Sequence, residues 1–290
     1  MIVEMVLKLQ EELTENDSFH LTALRRSLKN MEKVYVAYSG GVDSSLVAAI
    51  AQEQLDSNAI AITGISDSLA PYLLEEARQQ ANWIGIRHEE CITNEIKNER
   101  YTNNPVDRCF TCKQELHNQI AKITSSIKNC QVVDGVNLDD LKDHRPGIKA
   151  SKDAGVRSPL AEIGLRKSSI RNISRALGFP WWDKPSQPCL ASRFPYGEEI
   201  TSKRLNQVGK AEHWLIEKGF PLVRVRVQGI SARIELPSKQ IDDLLSQINR
   251  KELVDFFISI GFASVSIDLE GLISGKLNRT IINKSDSRIG

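Results

Sequence analysis

The sequence predicts an α/β fold in which a parallel sheet carries helices on both faces. Short β-branched and apolar segments alternate with helix-length segments over the first 135 residues, as in chains built from repeated β-α-β units. One of these segments, 34–38, runs directly into two glycines and then into an apolar helix. In such sheets a ligand binds beyond the carboxyl ends of the strands, so the polar residues that follow each strand are the candidates for function.

The N-terminal elements follow from these patterns. Apolar residues at helical spacing predict two leading helices over 3–13 and 18–30, with a break at 16–18. Strands are predicted at 34–38, 59–65, 84–90 and 130–135, and helices from residue 43 through 51, over 69–83, 112–126 and 165–177.

A domain boundary is predicted near residue 195. Beyond it we expect a helix over 201–218, strands at 222–227 and 232–236 that form a hairpin, a helix over 241–260 and a strand at 262–269. The predicted organisation is a nucleotide domain over 1–195, a small α+β domain over 196–270 and a tail over 271–290.

The composition excludes several classes of protein. The net charge is +1, and no dense basic patch with interleaved aromatics is present, which argues against nucleic acid as a partner. No apolar run approaches the ~20 residues that span a membrane, and the first residues lack the features of a secretory signal. Five cysteines in 290 residues do not form a disulfide framework, so we expect a cytoplasmic protein with reduced thiols.

The segment after strand 34–38 has the character of an anion cradle. It reads Ser-Gly-Gly-Val-Asp-Ser-Ser over 39–45, and a strand, a glycine turn and a helix N-terminus direct backbone amides and the helix dipole at the loop. The spacing is neither that of a Walker A loop nor that of a dinucleotide fingerprint. It resembles the pyrophosphate loop of the PP-loop ATPases, which cleave ATP to AMP and pyrophosphate while adenylating a substrate oxygen. The predicted phosphate contacts are Ser39, Gly40, Gly41, Asp43, Ser44 and Ser45.

Two further strand ends carry polar residues. Ser66 follows the second strand and is a candidate for contact with the nucleotide, although it also suits a helix cap. After the fourth strand, 135–140 is similar to a Gly-x-Asn-x-x-Asp stretch of PP-loop enzymes. That similarity makes Gly135 and Asp140 candidates for contact with ATP and Mg²⁺, against the alternative of a solvated turn. Arg145 and Lys149 lie in a basic turn and are candidates for phosphate contact.

Three cysteines are candidates for the chemistry. Cys109 and Cys112 form a C-x-x-C pair, and Cys189 lies on a proline-stiffened loop. Three thiolates with one open iron describe a [4Fe–4S] cluster with a site left for a substrate atom. Zinc with a fourth ligand such as His117, no metal at all, and a reactive Cys189 beside the cation of Arg193 are the alternatives.

Four motifs in the same order resemble the LarE family of ATP-dependent sulfur transferases. They are the pyrophosphate loop, Arg-Cys-x-x-Cys-Lys at 108–113, Gly-Val-Arg-Ser-Pro-Leu at 155–160 and Trp-Asp-Lys-Pro-Ser-x-Pro-Cys-Leu-Ala-Ser-Arg at 182–193. The resemblance spans about 18–275. It implies a substrate, pyridinium-3,5-biscarboxylic acid mononucleotide, whose carboxylates are adenylated and converted to thiocarboxylates during synthesis of the nickel-pincer nucleotide cofactor.

The resemblance also implies a source of sulfur. Some family members sacrifice the cysteine that matches Cys189, which becomes dehydroalanine, whereas others hold a [4Fe–4S] cluster on three cysteines and deliver a sulfide from it. With Cys109, Cys112 and Cys189 present, this chain resembles the cluster type. The family implies a homo-oligomer, and the sequence does not indicate what donates the sulfide.

The predicted substrate contacts lie on both sides of the boundary. Period-two alternation puts Arg224 and Arg226 on one face of a strand, where two guanidinium forks suit a phosphate or carboxylate, and the family has a similar Arg-x-Arg strand. Arg193 and Glu212 are further candidates for the same site. The alternatives are an exposed charged strand face, a PP-loop tRNA thiolase, an amide synthetase that leaves the cysteines idle, and a module that senses ATP without cleaving it.

Overall fold

The computed structural model of the chain describes residues 7–142, 146–273, 275, 276 and 279. The chain divides into two compact units. The first runs to Tyr101 and resumes over Val106–Pro188, and the second takes Thr102–Pro105 and the chain from Cys189 onward. Asn104 explains why the short segment groups with the second unit, since its side-chain amide donates to the carbonyls of Phe194 and Pro195. The predicted domain limits at 195 and 270 stay predictions.

The first unit contains a four-stranded parallel sheet. Its helices are α1 (Glu15–Lys29), α2 (Val42–Leu55), α3 (Pro71–Ile84), α4 (Glu99–Thr102, whose last residue falls in the second unit), α5 (Arg108–Thr124), α6 (Pro146–Asp153), α7 (Pro159–Glu162) and α8 (Lys167–Ala176); its strands are β1 (Lys33–Ala37), β2 (Ala59–Ile65), β3 (Arg87–Ile92) and β4 (Cys130–Val133). The strand order is β3-β2-β1-β4, with every pair parallel. The predicted fold class is therefore confirmed.

The two faces of β1 pack into different cores. Val34 and Val36 join a large apolar cluster with residues of α1, α2, α3 and α8. Tyr35 and Ala37 join a second cluster that includes Ile120 of α5. Because successive side chains of a strand point to opposite faces, this division places helices on both sides of the sheet. The central strand is thereby buried on both faces, and its carboxyl end is held where the glycine loop begins.

The first predicted helix is wrong over the residues that the structure describes. Residues 7–13 are not helical, and α1 begins at Glu15 rather than after a break at 16–18. Thr14 caps it, because its hydroxyl accepts a hydrogen bond from the Asp17 amide, and acidic residues then suit the first helical turn. The preceding segment is tied down by a bond from the Gln10 amide to the Ala176 carbonyl.

The second unit contains a three-stranded sheet of order β5-β6-β7. Its further elements are α9 (Ser202–Glu217), β5 (Arg224–Gln228), β6 (Ser231–Glu235), α10 (Ile241–Gln247), α11 (Arg250–Ser259) and β7 (Ser264–Ile267). The predicted hairpin is confirmed as the antiparallel pair β5–β6, and β7 adds in parallel to β6. The predicted single helix over 241–260 is two helices, because the Asn249 side chain accepts from two amides and starts α11. Most of the predicted tail lies outside the described residues.

Within the described ranges, no helix is both long enough and apolar enough to cross a membrane.

A buried histidine makes the stability of the first unit depend on pH. His117 of α5 is 3% exposed, and its Nε2 lies 2.9 Å from the Ser151 hydroxyl of α6. Burial, helped by the charge of Lys113, lowers the pKa of His117 to about 4. The unfolded chain binds this proton near pH 6.5, so the folded state loses stability as the pH falls from about 6.5 towards 4.

We expect the free energy of unfolding to fall by up to about 3 kcal/mol over that pH range through His117. Urea unfolding from pH 7.5 to 4.5 measures the slope for the wild type and for His117→Gln. Part of the slope should disappear in this variant and remain in His213→Gln, whose histidine is exposed. An unchanged slope in His117→Gln would contradict the assignment.

Candidate active site

The glycine loop between β1 and α2 has a backbone that only glycine suits at its first turn. Gly40 has φ +66°, and a Cβ there would lie 3.1 Å from the Cβ of Ala77 in α3. Gly41 is the N-cap of α2 and forms no side-chain capping bond. The first-turn amides of α2 therefore face the loop without a capping side chain, which is the arrangement that binds an anion.

Hydroxyl groups tie this loop together. Ser44 Oγ lies 3.1 Å from Ser39 Oγ and donates to the Gly41 carbonyl, also at 3.1 Å. Ser45 differs from its neighbours because its side chain points into the protein, 3.3 Å from both the Tyr38 hydroxyl and Gln80 Oε1. Burial raises the pKa of Tyr38 to about 12, so this supporting network stays uncharged.

Asp43 of the loop is paired with a lysine that the sequence analysis missed. Lys167 is the first residue of α8, and its Nζ lies 2.5 Å from Asp43 Oδ2. The other carboxylate oxygen, Oδ1, is buried and has no hydrogen-bond partner among the described residues. One signal was available in the sequence, because a lysine at the start of a helix faces the positive end of the helix dipole and needs a compensating anion.

A second lysine contacts the loop from the Trp-Asp-Lys-Pro motif. Lys184 Nζ lies 3.5 Å from the Gly40 carbonyl oxygen and forms a close ion pair with Glu76 of α3. Sequence patterns did not predict this contact of Lys184 with the glycine loop.

The loop after β4 touches the start of α2. A Cβ at Gly135 would lie 2.7 Å from the Ser44 amide nitrogen, so a larger residue does not fit. Asp140 Oδ2 accepts from the Asn137 amide at 3.1 Å and closes the turn. Its neighbour Asp139 accepts from the Lys167 amide and from the Arg166 guanidinium, both at 2.9 Å. This loop therefore fixes the start of α8 as well as the start of α2.

Ser66 lies at the end of β2, as predicted. Its hydroxyl is 2.8 Å from that of Ser68, which donates in turn to Glu95 Oε1 at 3.2 Å. Glu95 is 2% exposed, and its other oxygen is buried without a hydrogen-bond partner in the described part of the chain. Contact of Ser66 with a nucleotide stays a prediction.

The two candidates of the basic turn are less well defined. Arg145 lies outside the described residues, and Lys149 is exposed on α6.

The C-x-x-C pair lies in the first turn of α5, because this helix begins at Arg108 rather than at the predicted residue 112. Cys109 is exposed and Cys112 half-buried, with Cys112 Sγ 3.9 Å from Glu95 Oε1. All five cysteines are thiols rather than disulfides. Within the described ranges, no group of three or more histidine, cysteine, aspartate or glutamate side chains is placed to hold a metal. His117 Nε2 is engaged by Ser151, and its Nδ1 is buried without a hydrogen-bond partner among the described residues.

In the second unit, the loop that carries Cys189 is held by a buried ion pair. Arg193 forms two bonds of 2.8 Å to Glu212 of α9, whose carboxylate is fully buried. The same guanidinium donates to the Cys189 carbonyl at 3.3 Å and to the Ser192 hydroxyl at 2.9 Å. Glu212 also accepts from the Val225 amide at 2.8 Å, which joins α9 to β5. With both oxygens bonded to Arg193, the buried Glu212 carboxylate fixes the position of that guanidinium.

The two arginines of β5 have different environments. Arg226 is 5% exposed, bonds to Glu235 of β6 at 2.9 Å and donates to the Ser192 carbonyl at 2.5 Å. Arg224 is half-buried and has no ion-pair or hydrogen-bond partner among the described residues. Burial and the charges of Arg193 and Arg226 lower the pKa of Arg224. An unpaired guanidinium beside two others is a position that an anionic ligand would stabilise.

Comparison with known proteins places the chain in a family. Residues 21–105 match the asparagine synthase family, which shares the PP-loop fold. A protein of Lactiplantibacillus plantarum named pyridinium-3,5-bisthiocarboxylic acid mononucleotide synthase is 34% identical over 259 residues, which cover 88% of this chain and 92% of the relative. The chain belongs to the LarE family.

Two other relatives match over similar lengths. An uncharacterized protein of Synechocystis is 52% identical over 261 residues, or 90% of this chain and 97% of its own. An uncharacterized protein of Methanocaldococcus jannaschii is 31% identical over 248 residues, or 85% of this chain and 93% of its own. As a member of the LarE family, the chain is an enzyme that uses ATP and acts as a sulfurtransferase.

Proposed function

We propose that the enzyme adenylates the carboxylates of pyridinium-3,5-biscarboxylic acid mononucleotide with ATP and converts them to thiocarboxylates. The observation that supports this most strongly is the uncapped start of α2 behind a glycine loop, in a chain 34% identical to a synthase of the corresponding bisthiocarboxylic acid.

The phosphates of ATP bind at the glycine loop. Backbone amides of Gly40, Gly41 and the first turn of α2 donate to them, and the hydroxyls of Ser39 and Ser44 lie in the same loop. Ser45 supports the loop from inside, because its hydroxyl lies against Tyr38 and Gln80 and its amide donates to the Gly41 carbonyl at 2.9 Å. Gly135 permits the close approach of the loop after β4, and Ser66 lies at the neighbouring strand end.

Carboxylate oxygens at this edge of the sheet suit a magnesium ion. Asp43 Oδ1 is buried with no described partner, and Asp140 lies in the loop after β4. Hard oxygen ligands of this kind are those that Mg²⁺ prefers, so Asp43 and Asp140 would hold it. A bound Mg²⁺ would neutralise phosphate charge, which the enzyme's lysines near the loop also reduce.

The reaction exchanges one oxygen for one sulfur in each round. A substrate carboxylate oxygen attacks the α-phosphorus of ATP, a new phosphorus–oxygen bond forms, and the bond to pyrophosphate breaks. The acyl-adenylate is then open to a sulfur nucleophile, because AMP is a better leaving group than oxide. Attack at the acyl carbon forms the carbon–sulfur bond and expels AMP, which retains the oxygen that came from the carboxylate.

Arg224 binds an anionic group of the substrate. Arg193 and Arg226 each form a direct salt bridge, whereas the Arg224 guanidinium forms none with the described residues. Arg193 and Arg226 are held by Glu212 and Glu235, and both also bond to the loop that carries Cys189. We therefore assign Glu212 to positioning and keep Arg193 and Arg226 as secondary contacts of the same anion site.

Cys109, Cys112 and Cys189 would hold a [4Fe–4S] cluster as the source of sulfur. Cys109 and Cys112 are three residues apart in one helical turn, which places their thiols on neighbouring positions of the same face of α5. Three thiolates are a ligand set for such a cluster, which would supply the sulfide when bound. The competing source is the sulfur of Cys189 itself, which the second test below separates.

A first test measures the products. With ATP, Mg²⁺ and substrate, the enzyme should release AMP and pyrophosphate in equal amounts, and release should depend on substrate. Gly40→Ala should lower kcat/KM on the order of a hundredfold, because its Cβ meets α3 and displaces the amides that bind phosphate. Gly164→Ala is the matched control, since Gly164 has φ +76° but open space around a Cβ. Release of ADP and phosphate would contradict the proposal.

A second test identifies the sulfur source. Iron and acid-labile sulfide are measured on protein purified and reconstituted without oxygen. Cys109→Ala should lose the cluster, whereas Cys130→Ala, which removes a half-buried cysteine of β4, should keep it. A wild type without iron, with Cys189 converted to dehydroalanine in its intact mass after turnover, would contradict the cluster and establish sacrificial transfer.

A further inference from the structure

The fold holds the cation of Lys167 at the amino terminus of α8, where the helix dipole is unfavourable for a positive charge. Lys167 opens this helix, and the first turn of the helix contains no acidic residue. Asp139, from the loop after β4, holds it there by accepting from the Lys167 amide and from the guanidinium of Arg166. The backbone of Lys167 is thus fixed from one loop while its side chain reaches another.

The side chain of Lys167 reaches the glycine loop at Asp43. Its Nζ lies 2.5 Å from Oδ2, and the side chains of Lys167 and Asp43 are 34% and 23% exposed. The pair is therefore accessible enough to rearrange, and it lies at the start of α2, where the first-turn amides meet the loop. The positive charge of Lys167 is held within reach of an anion-binding loop by the only acidic residue of that loop.

Asp43 is incompletely satisfied in this pairing. Oδ2 accepts from Lys167, but Oδ1 is buried without a hydrogen-bond partner in the described ranges. A buried carboxylate oxygen without a partner is costly, so a divalent cation that also satisfies Oδ1 would be favoured over a lysine that reaches only Oδ2. Lysine is suited to such a replacement, because its ammonium is a point charge on a flexible stem.

We propose that Lys167 is a charge-exchanging residue of the ATP site. In the nucleotide-free protein it neutralises Asp43, and when Mg²⁺ bound with ATP takes the Asp43 carboxylate, the ammonium moves to the polyphosphate. This rests on the proposed ATP site and adds a residue that no motif identified. The exchange keeps the loop's charge compensated in both states, and no covalent bond is made or broken.

The proposal predicts that two changes at this pair act in opposite directions. Lys167→Met should weaken binding of a non-hydrolysable ATP analogue with Mg²⁺ at least about tenfold, since a hydrogen bond from a cation to phosphate is lost. Asp43→Asn should strengthen binding of the analogue without Mg²⁺, because Lys167 no longer has to leave a carboxylate. Calorimetric titration of the 290-residue chain measures both affinities, and Lys122→Met, which changes an exposed lysine of α5, is the control.

The double variant Asp43→Asn/Lys167→Met shows whether the stronger Mg²⁺-free binding of Asp43→Asn depends on Lys167. If Asp43 only repelled phosphate, the gain of Asp43→Asn would persist in the double variant, and the proposal would be overturned. The exchange predicts that the gain disappears. Lys167→Arg should recover part of the affinity, and thermal unfolding without nucleotide should show that each variant is folded.

The failure of this proposal is distinct from failure of the proposed function. A wild type that binds the analogue with the same affinity as Lys167→Met would overturn the exchange and leave the ATP site intact. A wild type that binds no analogue, with or without Mg²⁺, would overturn both.

Discussion

The structure of the first unit depends on the uncapped amino-terminal turn of α2. This turn meets the carboxyl end of β1, which is buried on both faces, so the backbone amides at the helix start have little freedom to find other partners. Glycine is required twice around it, at Gly40 against α3 and at Gly135 against Ser44. Lys184 and Lys167 then reach the same loop from later in the chain. These features are explained together if the loop must receive a highly charged anion.

The second unit uses buried carboxylates for a different purpose. Glu212 and Glu235 are completely buried, and each is paired with an arginine that also bonds to residues 189–192. Removing one partner of a buried pair leaves an uncompensated charge, so the geometry of the Cys189 loop is tied to these carboxylates. Arg224 has no such carboxylate among the described residues. The unit thus fixes the loop that carries Cys189 with two arginines, Arg193 and Arg226.

Sequence patterns predicted the parts that depend on local periodicity. The parallel sheet, the glycine loop and the β5–β6 hairpin follow from apolar alternation and turn residues, which act over a few neighbours. Two helix boundaries were not predicted. Thr14 caps α1 at Glu15, but the polar residues 16–18 suggested a later start. Asn249 caps α11, but apolar spacing continued through it and suggested one helix over 241–260.

The contacts of Lys167 and Glu212 could not be predicted in the same way. The Lys167–Asp43 pair joins residues that are far apart in sequence, and no single-sequence pattern specifies which distant carboxylate a lysine will meet. Glu212 was predicted as a substrate contact from its place on a helix, but the structure buries it against Arg193. Charged residues that contradict local preference, such as a lysine at a helix start, are the signal that sequence analysis can use.

The central claim is that the glycine loop directs a substrate carboxylate onto the α-phosphorus of ATP. Labelling the substrate carboxylates with ¹⁸O and analysing the released AMP by mass spectrometry tests it most directly. The account predicts one labelled oxygen in the phosphate of each AMP formed with a thiocarboxylate. Unlabelled AMP, or thiocarboxylate formed together with ADP, would contradict it.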